Sequence, residues 1–315
     1  MNRKTLGNTG LEVSSIAFGG VEIGLPYGPG IHSENDMLQE SEAISLLHLA
    51  LDRGVNFYDT ARMYGKSETL IGEAFAHRRE EVVICTKCQH LRDATGNLPE
   101  ESQLVKMIRD SLENSLKALR MDEVDVLMLH QADLEILNNE TISRTFEDLK
   151  KAGLVKAIGA STYSVEESKT AINSGIYEVI QLPYNLLDQR QGEIFELGAA
   201  KGIGLVVRSV LLRGMLSDRG KNLKEPLAEI EKHISKYAML AEEEGLTLPE
   251  YATRFVLDQS NISSVLVGID KPIYLEKALE TAELPSLSEK LLAGAIPFPD
   301  PEFIDIPKWD RMGWL

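Results

Sequence analysis

The sequence predicts an α/β chain closed into a (β/α)8 TIM barrel, and three observations carry that expectation. Eight short apolar runs alternate with longer amphipathic stretches along 315 residues, and parallel strands need a crossover helix between neighbours. Eight is also the number of strands that closes such a barrel. The rival, an open doubly wound sheet, wants a G-x-G-x-x-G turn after its first strand. "AFGGVEIGLPYG" has neither that spacing nor a helix following directly.

In chain order, "TLGNTGLEVSS" reads as an N-terminal β-hairpin turning at "GNTG", suited to plugging the bottom of the barrel. The barrel strands are then "SIAFGG", "VNFYDT", "VVICTK", "VDVLMLH", "VKAIGAS", "YEVIQLPYN", "GLVVRSV" and "SVLVGI". Between them lie helical patterns such as "ESEAISLLHLALDRG", "ESQLVKMIRDSLENSLKALR", "ISRTFEDLKKAG", "VEESKTAINSG" and "QGEIFELGAAKG". Several end in glycine, as helices do where the chain turns left-handed. The C-terminal "AIPFPDPEFIDIPKWDRMGWL" carries four prolines and both tryptophans. It reads as a long loop without regular helix, lying on the outer surface or over the barrel mouth. No linker or low-complexity segment divides the chain, so residues 1–315 are expected to form one domain.

Composition narrows the function. Net charge is −16, with no basic stripe, which disfavours nucleic acid as a partner. No run approaches a membrane span and the N-terminal "MNRKTLGNTG" lacks a signal-peptide core, so a cytoplasmic protein is expected. The two cysteines, Cys85 and Cys88 of "VVICTKCQH", sit on a strand where positions three apart face opposite sides. They read as ordinary thiols, with no metal site.

A barrel gathers the C-terminal ends of its strands around one mouth, where active sites form. Those ends hold Asp59, Lys87, His130, Ser161 and Gln181, with Tyr64 in the loop after Asp59. Each has a structural alternative, as a turn cap, a solvated charge or a core histidine, but such groups at consecutive strand ends favour a shared site.

The same residues carry a resemblance. "DTARMYGKSETLIG" is similar to the aldo-keto reductase signature D-T-A-x-x-Y-G-x-S-E-x-x-[IL]-G, and "ICTK", "LMLH", "IGAST" and "QLPYNLLD" follow in the family's order. The resemblance runs from the N-terminal hairpin to about residue 280. It implies a nicotinamide-dependent oxidoreductase with Asp59, Tyr64, Lys87 and His130 as its catalytic residues. Tyr64 would be the general acid/base, lowered in pKa by Lys87, which Asp59 holds charged, while His130 positions the carbonyl oxygen. Ser161, Thr162 and Gln181 would meet the nicotinamide carboxamide. Arg208, Ser209 and Leu211 fall in the loop that wraps the pyrophosphate, and Gly268, Asp270, Lys271 and Tyr274 at the adenosine end. The cofactor implied is NADPH or NADH. The family habit is NADPH, but the arginine expected for a 2′-phosphate is absent and Asp270 would repel one.

Other departures bear on substrate. Thr162 replaces the usual asparagine and Arg208 an aromatic ring, while "QADLEIL" after His130 lacks the usual proline or tryptophan. The insert "GLPYGPGIHSENDM" places His32 near the rim. A polar or sugar-like carbonyl or polyol fits these changes, and no oligomer is required. Two other classes use related features: a redox-sensing regulatory subunit, as in potassium-channel β subunits, and an aldolase with Lys87 as Schiff base.

Overall fold

The computed structural model describes residues 1–28 and 33–314; His32, expected near the rim, lies outside them. An N-terminal hairpin pairs β1 (Arg3–Thr5) with β2 (Glu12–Ser14) antiparallel, Arg3 opposite Ser14 and Thr5 opposite Glu12. The barrel strands follow as β3 (Ile16–Gly19), β4 (Phe57–Asp59), β5 (Val83–Lys87) and β6 (Val124–Leu129). They continue as β7 (Val155–Ser161), β8 (Val179–Pro183), β9 (Gly204–Arg208) and β10 (Ser264–Gly268). All eight pair in parallel in chain order, and β10 closes on β3 with Val265 opposite Ile16 and Gly268 opposite Gly19.

The eight apolar runs coincide with these strands because strands buried on both faces read as continuous apolar segments. Two cores result. Outside the barrel, helices such as Glu40–Asp52, Glu101–Leu119 and Glu140–Lys151 lay apolar stripes on the sheet. Inside, Ala17, Phe57, Cys85, Val126, Met128, Val179 and Val206 fill the lower barrel, and Leu6 and Val13 of the hairpin join them from below. Gly7 (φ +56°) meets the backbone of residues 202–204 so closely that a Cβ there would stand 2.3 Å from the Gly204 nitrogen. Only glycine fits such a contact.

Helix ends follow local chemistry. Ser164 and Glu167 form a capping box that opens Val165–Ser174, and Gly175 (φ +72°) ends it. The crossover after β8 departs from its pattern, beginning as a 3-10 segment over Arg190–Ile194 before Phe195–Ala200 becomes α-helical.

Two expectations are corrected. A single helical turn, Val21–Gly24, does follow β3, although it is too short to be a crossover. The C-terminal segment contains a helix, Ile306–Met312, as well as loop. Proline is tolerated in a first helical turn, where its missing N–H has no intrahelical partner, so Pro307 as the second residue does not prevent it. Trp309 is fully buried and donates from Nε1 to the Phe303 carbonyl at 2.8 Å. The segment is tied to the loop after β8: Phe298 N–H donates to the Leu187 carbonyl, and Arg190 meets Glu302.

The cysteines separate as expected of a strand and its exit. Cys85 lies in the interior core and Cys88 in the outer one, and both are free thiols. No helix of the described residues is long and apolar enough to cross a membrane.

Candidate active site

Strand periodicity positions the site. Phe57, Cys85, Met128, Val179 and Val206 belong to the interior core. Two residues further along the same faces stand Asp59, Lys87, His130, Gln181 and Arg208, at the upper end of the barrel. The chain has placed apolar residues below and polar ones above on one inward stripe.

Lys87 is 1% exposed and Asp59 4%. Lys87 donates from Nζ to Asp59 Oδ2 at 2.6 Å and to the Thr60 carbonyl at 3.1 Å. Gln181 Nε2 donates to the other Asp59 oxygen at 2.8 Å, so both carboxylate oxygens are used. Burial pushes the Lys87 pKa down, but the Asp59 charge and its hydrogen bond, with Tyr64 and Cys85, together outweigh it and the ammonium is held above its usual range. Its Nζ lies 4.9 Å from the centroid of the Tyr64 ring, and His130 meets that ring edge-on at 5.4 Å.

Burial raises the Tyr64 pKa. The Lys87 charge pulls it down, but not enough to cancel the loss of water. The expected lowering by Lys87 is therefore present as an opposing influence on a phenol whose net shift is upward. For His130, burial and then the charge of Lys87 drive the pKa well below the usual imidazole range, so the ring is neutral near pH 7. Its Nδ1 is enclosed with no hydrogen-bond partner among the described residues. His90 stands edge-on to it at 5.0 Å.

The loop carrying Tyr64 is braced by its own sequence. Thr60 donates from Oγ1 to Ser67 Oγ at 2.8 Å, joining the two ends of the loop. Buried Glu68 accepts from Thr86 Oγ1 at 2.7 Å and is paired with Arg62. The Arg62 N–H donates to the Lys87 carbonyl at 3.0 Å. Gly24 packs against the Tyr64 backbone, where a Cβ would come within 1.9 Å of the carbonyl oxygen.

Around this centre the expected cofactor residues fall in two groups. Near Asp59 and Lys87, Ser161 is buried beside Gln181, its neighbour across the β7–β8 pair. Thr162, one residue on, has turned its hydroxyl to Ser168 at 2.7 Å, so its side chain serves the helix rather than the mouth. Arg208 donates to the Thr162 carbonyl at 3.0 Å and stacks over Tyr163 at 4.4 Å. Ser209 has a left-handed backbone (φ +59°), and Leu211 is packed on the outer core.

Further out, Gly268 ends β10, with Asp270, Lys271 and Tyr274 beyond it. Arg219, from the loop after β9, ion-pairs with Asp270 at 3.5 Å. Arg219 and Lys271 lie 5.8 and 5.9 Å from the Tyr274 ring centroid.

Sequence reasoning passed over His90, Tyr163 and Arg219. "KCQH" placed His90 three residues past Lys87 and offered a signal. Tyr163 directly follows the "IGAST" motif. Nothing local in "SDRGKN" marks Arg219, because its partner lies in another loop.

Comparison with known proteins identifies the family. The family model described as Aldo/keto reductase family matches residues 15–293. The chain is similar to the L-galactose dehydrogenase of Arabidopsis thaliana, 28% identical over 303 residues, covering 90% of this chain and 89% of that one. It is also similar to the NADH-specific methylglyoxal reductase of Escherichia coli, 27% identical, covering 86% and 90% of the two chains. A solved aldo-keto reductase from Bacillus halodurans, in its holo form, shares the fold with a TM-score of 0.77. It is 24% identical and covers 96% of this chain and 99% of that one. The barrel, the braced motif loop and the match across most of the sequence together establish that this chain belongs to the aldo/keto reductase family of oxidoreductases.

Proposed function

We propose that this protein interconverts a small carbonyl compound and its alcohol, with Tyr64 as general acid/base and NADPH or NADH as the cofactor. The observation that carries the reading is the buried Lys87 ammonium, held by Asp59 at 2.6 Å and lying 4.9 Å from the Tyr64 ring. When bound, the nicotinamide supplies or accepts the hydride, which no side chain can do.

The protein residues manage the proton. As a carbonyl carbon is reduced, negative charge grows on its oxygen and needs a donor already in place. Tyr64, protonated at neutral pH, gives its proton to that oxygen, and Lys87 stabilises the phenolate left behind. Solvent returns the proton to Tyr64. Asp59 keeps Lys87 charged and fixed, while neutral His130 is available to hydrogen-bond the oxygen. Run backwards, the phenolate accepts the alcohol proton.

The donor set suits a dinucleotide. Gln181 spends its Nε2 on Asp59, leaving its carbonyl oxygen for a carboxamide N–H, with Ser161 beside it. Arg208, Ser209 and Leu211 would border the pyrophosphate, and Gly268, Asp270, Lys271 and Tyr274, now with Arg219, the adenosine. Arg219 offsets the Asp270 charge, so a 2′-phosphate is tolerated and either dinucleotide fits. The polar mouth, and a relative named for L-galactose, support a polar or sugar-like substrate.

The test is Tyr64→Phe, assayed by nicotinamide absorbance with a panel of aldehydes and aldoses. Turnover is expected to fall ~10²–10⁴-fold while dinucleotide affinity holds. Unchanged turnover would overturn the assignment.

A further inference from the structure

Glu22 is a carboxyl group without an evident reason to be where it is. It stands in the helical turn that follows β3, and its side chain lies across the end of β10. A Cβ built on Gly268 would come within 1.9 Å of Glu22 Oε1. The residue as a whole is half-buried, but Oε2 is enclosed and has no hydrogen-bond partner among the described residues. The carboxyl group takes a hydrogen bond from its own backbone N–H, but an enclosed carboxylate oxygen left without a partner is costly, and structures normally pair such an atom or neutralise the group.

We propose that Glu22 is a further cofactor-site residue that receives the dinucleotide as a neutral carboxylic acid, so that binding takes up a proton wherever free Glu22 is ionised. The inference rests on the nicotinamide reading above. Its geometry lies in the shared ground: Glu22 covers Gly268, and Asp270 and Lys271 stand two and three residues further on. A dinucleotide brings at least two negative phosphate charges to that neighbourhood. An ionised Glu22 would add to them and to Asp270, with Arg219 and Lys271 as the opposing cations. The neutral acid instead offers an O–H donor. The proton comes from solvent, and no other bond is made or broken.

The surrounding charges agree. Burial raises the Glu22 pKa to about 8, against the opposing hydrogen bond from its own backbone N–H; the Asp270 charge adds to the rise, Arg219 opposes it, and Asp59 adds a little more. Burial, and after it the charge of the same carboxyl, pushes the nearby Tyr27 phenol up to about 12, so it stays neutral as Glu22 titrates. Bound phosphate charge would raise the Glu22 value further, and that displacement is the linkage.

The experiment is calorimetric titration of the full-length protein with NADPH and with NADH, in HEPES and in Tris, from pH 6.5 to 9. The two buffers differ in ionisation enthalpy, so they report the protons exchanged. The wild type is expected to take up about half a proton per dinucleotide near pH 8, and more above it. Its affinity should weaken toward ~10-fold per pH unit at the alkaline end. Glu22→Gln should abolish both the uptake and the slope, and Glu22→Ala serves if the glutamine variant does not fold. Binding by the wild type with no proton uptake, or an unchanged slope in either variant, overturns the role of Glu22 alone. No binding of either dinucleotide at any pH overturns the nicotinamide reading and this inference with it.

Discussion

Arg219 Nη2 stands 3.5 Å from Asp270 Oδ2, joining the loop after β9 to the loop after β10. Each residue changes what the other presents to an anionic ligand. Asp270→Asn removes a repelling charge and frees Arg219, so NADPH binding should tighten, and by more than NADH binding. Arg219→Ala leaves Asp270 uncompensated, and NADPH binding should weaken by ~10–100-fold, the range of a hydrogen bond to a charged group. Fluorescence titrations with the two dinucleotides measure both shifts.

The ion pair of Lys87 and Asp59 is expected to serve chemistry more than stability. Asp59→Asn leaves the buried ammonium without its counter-charge, held only by neutral acceptors such as the Thr60 carbonyl. Breaking one side of such a pair costs ~3–5 kcal/mol, whereas replacing both sides with apolar residues is often neutral. Denaturant unfolding should therefore show a large loss for Asp59→Asn. Most of that loss should be recovered in the double variant Asp59→Leu/Lys87→Met, which stays inactive.

On the proposed mechanism, direction and pH are linked through Tyr64. Burial holds its pKa above the usual phenol value and Lys87 pulls against that shift. At neutral pH the proton is in place, which suits reduction. Alcohol oxidation needs the phenolate, so its kcat should rise through the alkaline range while reduction falls. Losing the Lys87 charge in Lys87→Met should move both limbs to higher pH. Profiles of kcat/KM in the two directions test this.

Glu22 also predicts a pH dependence of stability in the cofactor-free protein. Its folded pKa, raised to about 8, lies above the ordinary glutamate value of about 4.3. Stability from this group is complete below the lower value and is lost as pH climbs to the higher one. Glu22→Gln should melt at a higher temperature than the wild type at pH 8. The difference should close toward pH 5.

Gly24→Ala tests whether the Tyr64 loop is held by backbone contact. A Cβ at Gly24 would overlap the Tyr64 carbonyl, so the loop must shift. Turnover should fall by at least ~10-fold, since small misplacements at a reacting centre are expensive. Circular dichroism should show the fold retained.

The barrel was legible because its signal is local: each strand is an apolar run that ends in a polar residue on a known face. Asp59, Lys87, His130 and Gln181 could be placed together from pleat and chain order alone. Glu22 could not, because it meets Gly268 only where β10 closes on β3, and those strands lie at opposite ends of the barrel sequence. Arg219 was hidden for a similar reason, since its partner belongs to the next βα loop. Thr162 differs in another way. It sits one residue past Ser161, and a strand exit reverses the facing of its side chain. The Ile306–Met312 helix was obscured by weighting proline content over proline position.

The hairpin beneath the barrel has a consequence for how the chain is made. Lys4 Nζ donates to the Ile262 carbonyl, 258 positions along the chain, and Ser263 donates back to the Thr5 carbonyl. During synthesis these N-terminal residues emerge long before their partners exist. At ~5–20 residues per second, the apolar face of Leu6 and Val13 waits ~10 s or more for its core. The segment that seals the base of the molecule is thus a nascent-chain liability first and a structural part last. Mutations that make it more apolar should be felt in yield from the ribosome before they are felt in the melting curve.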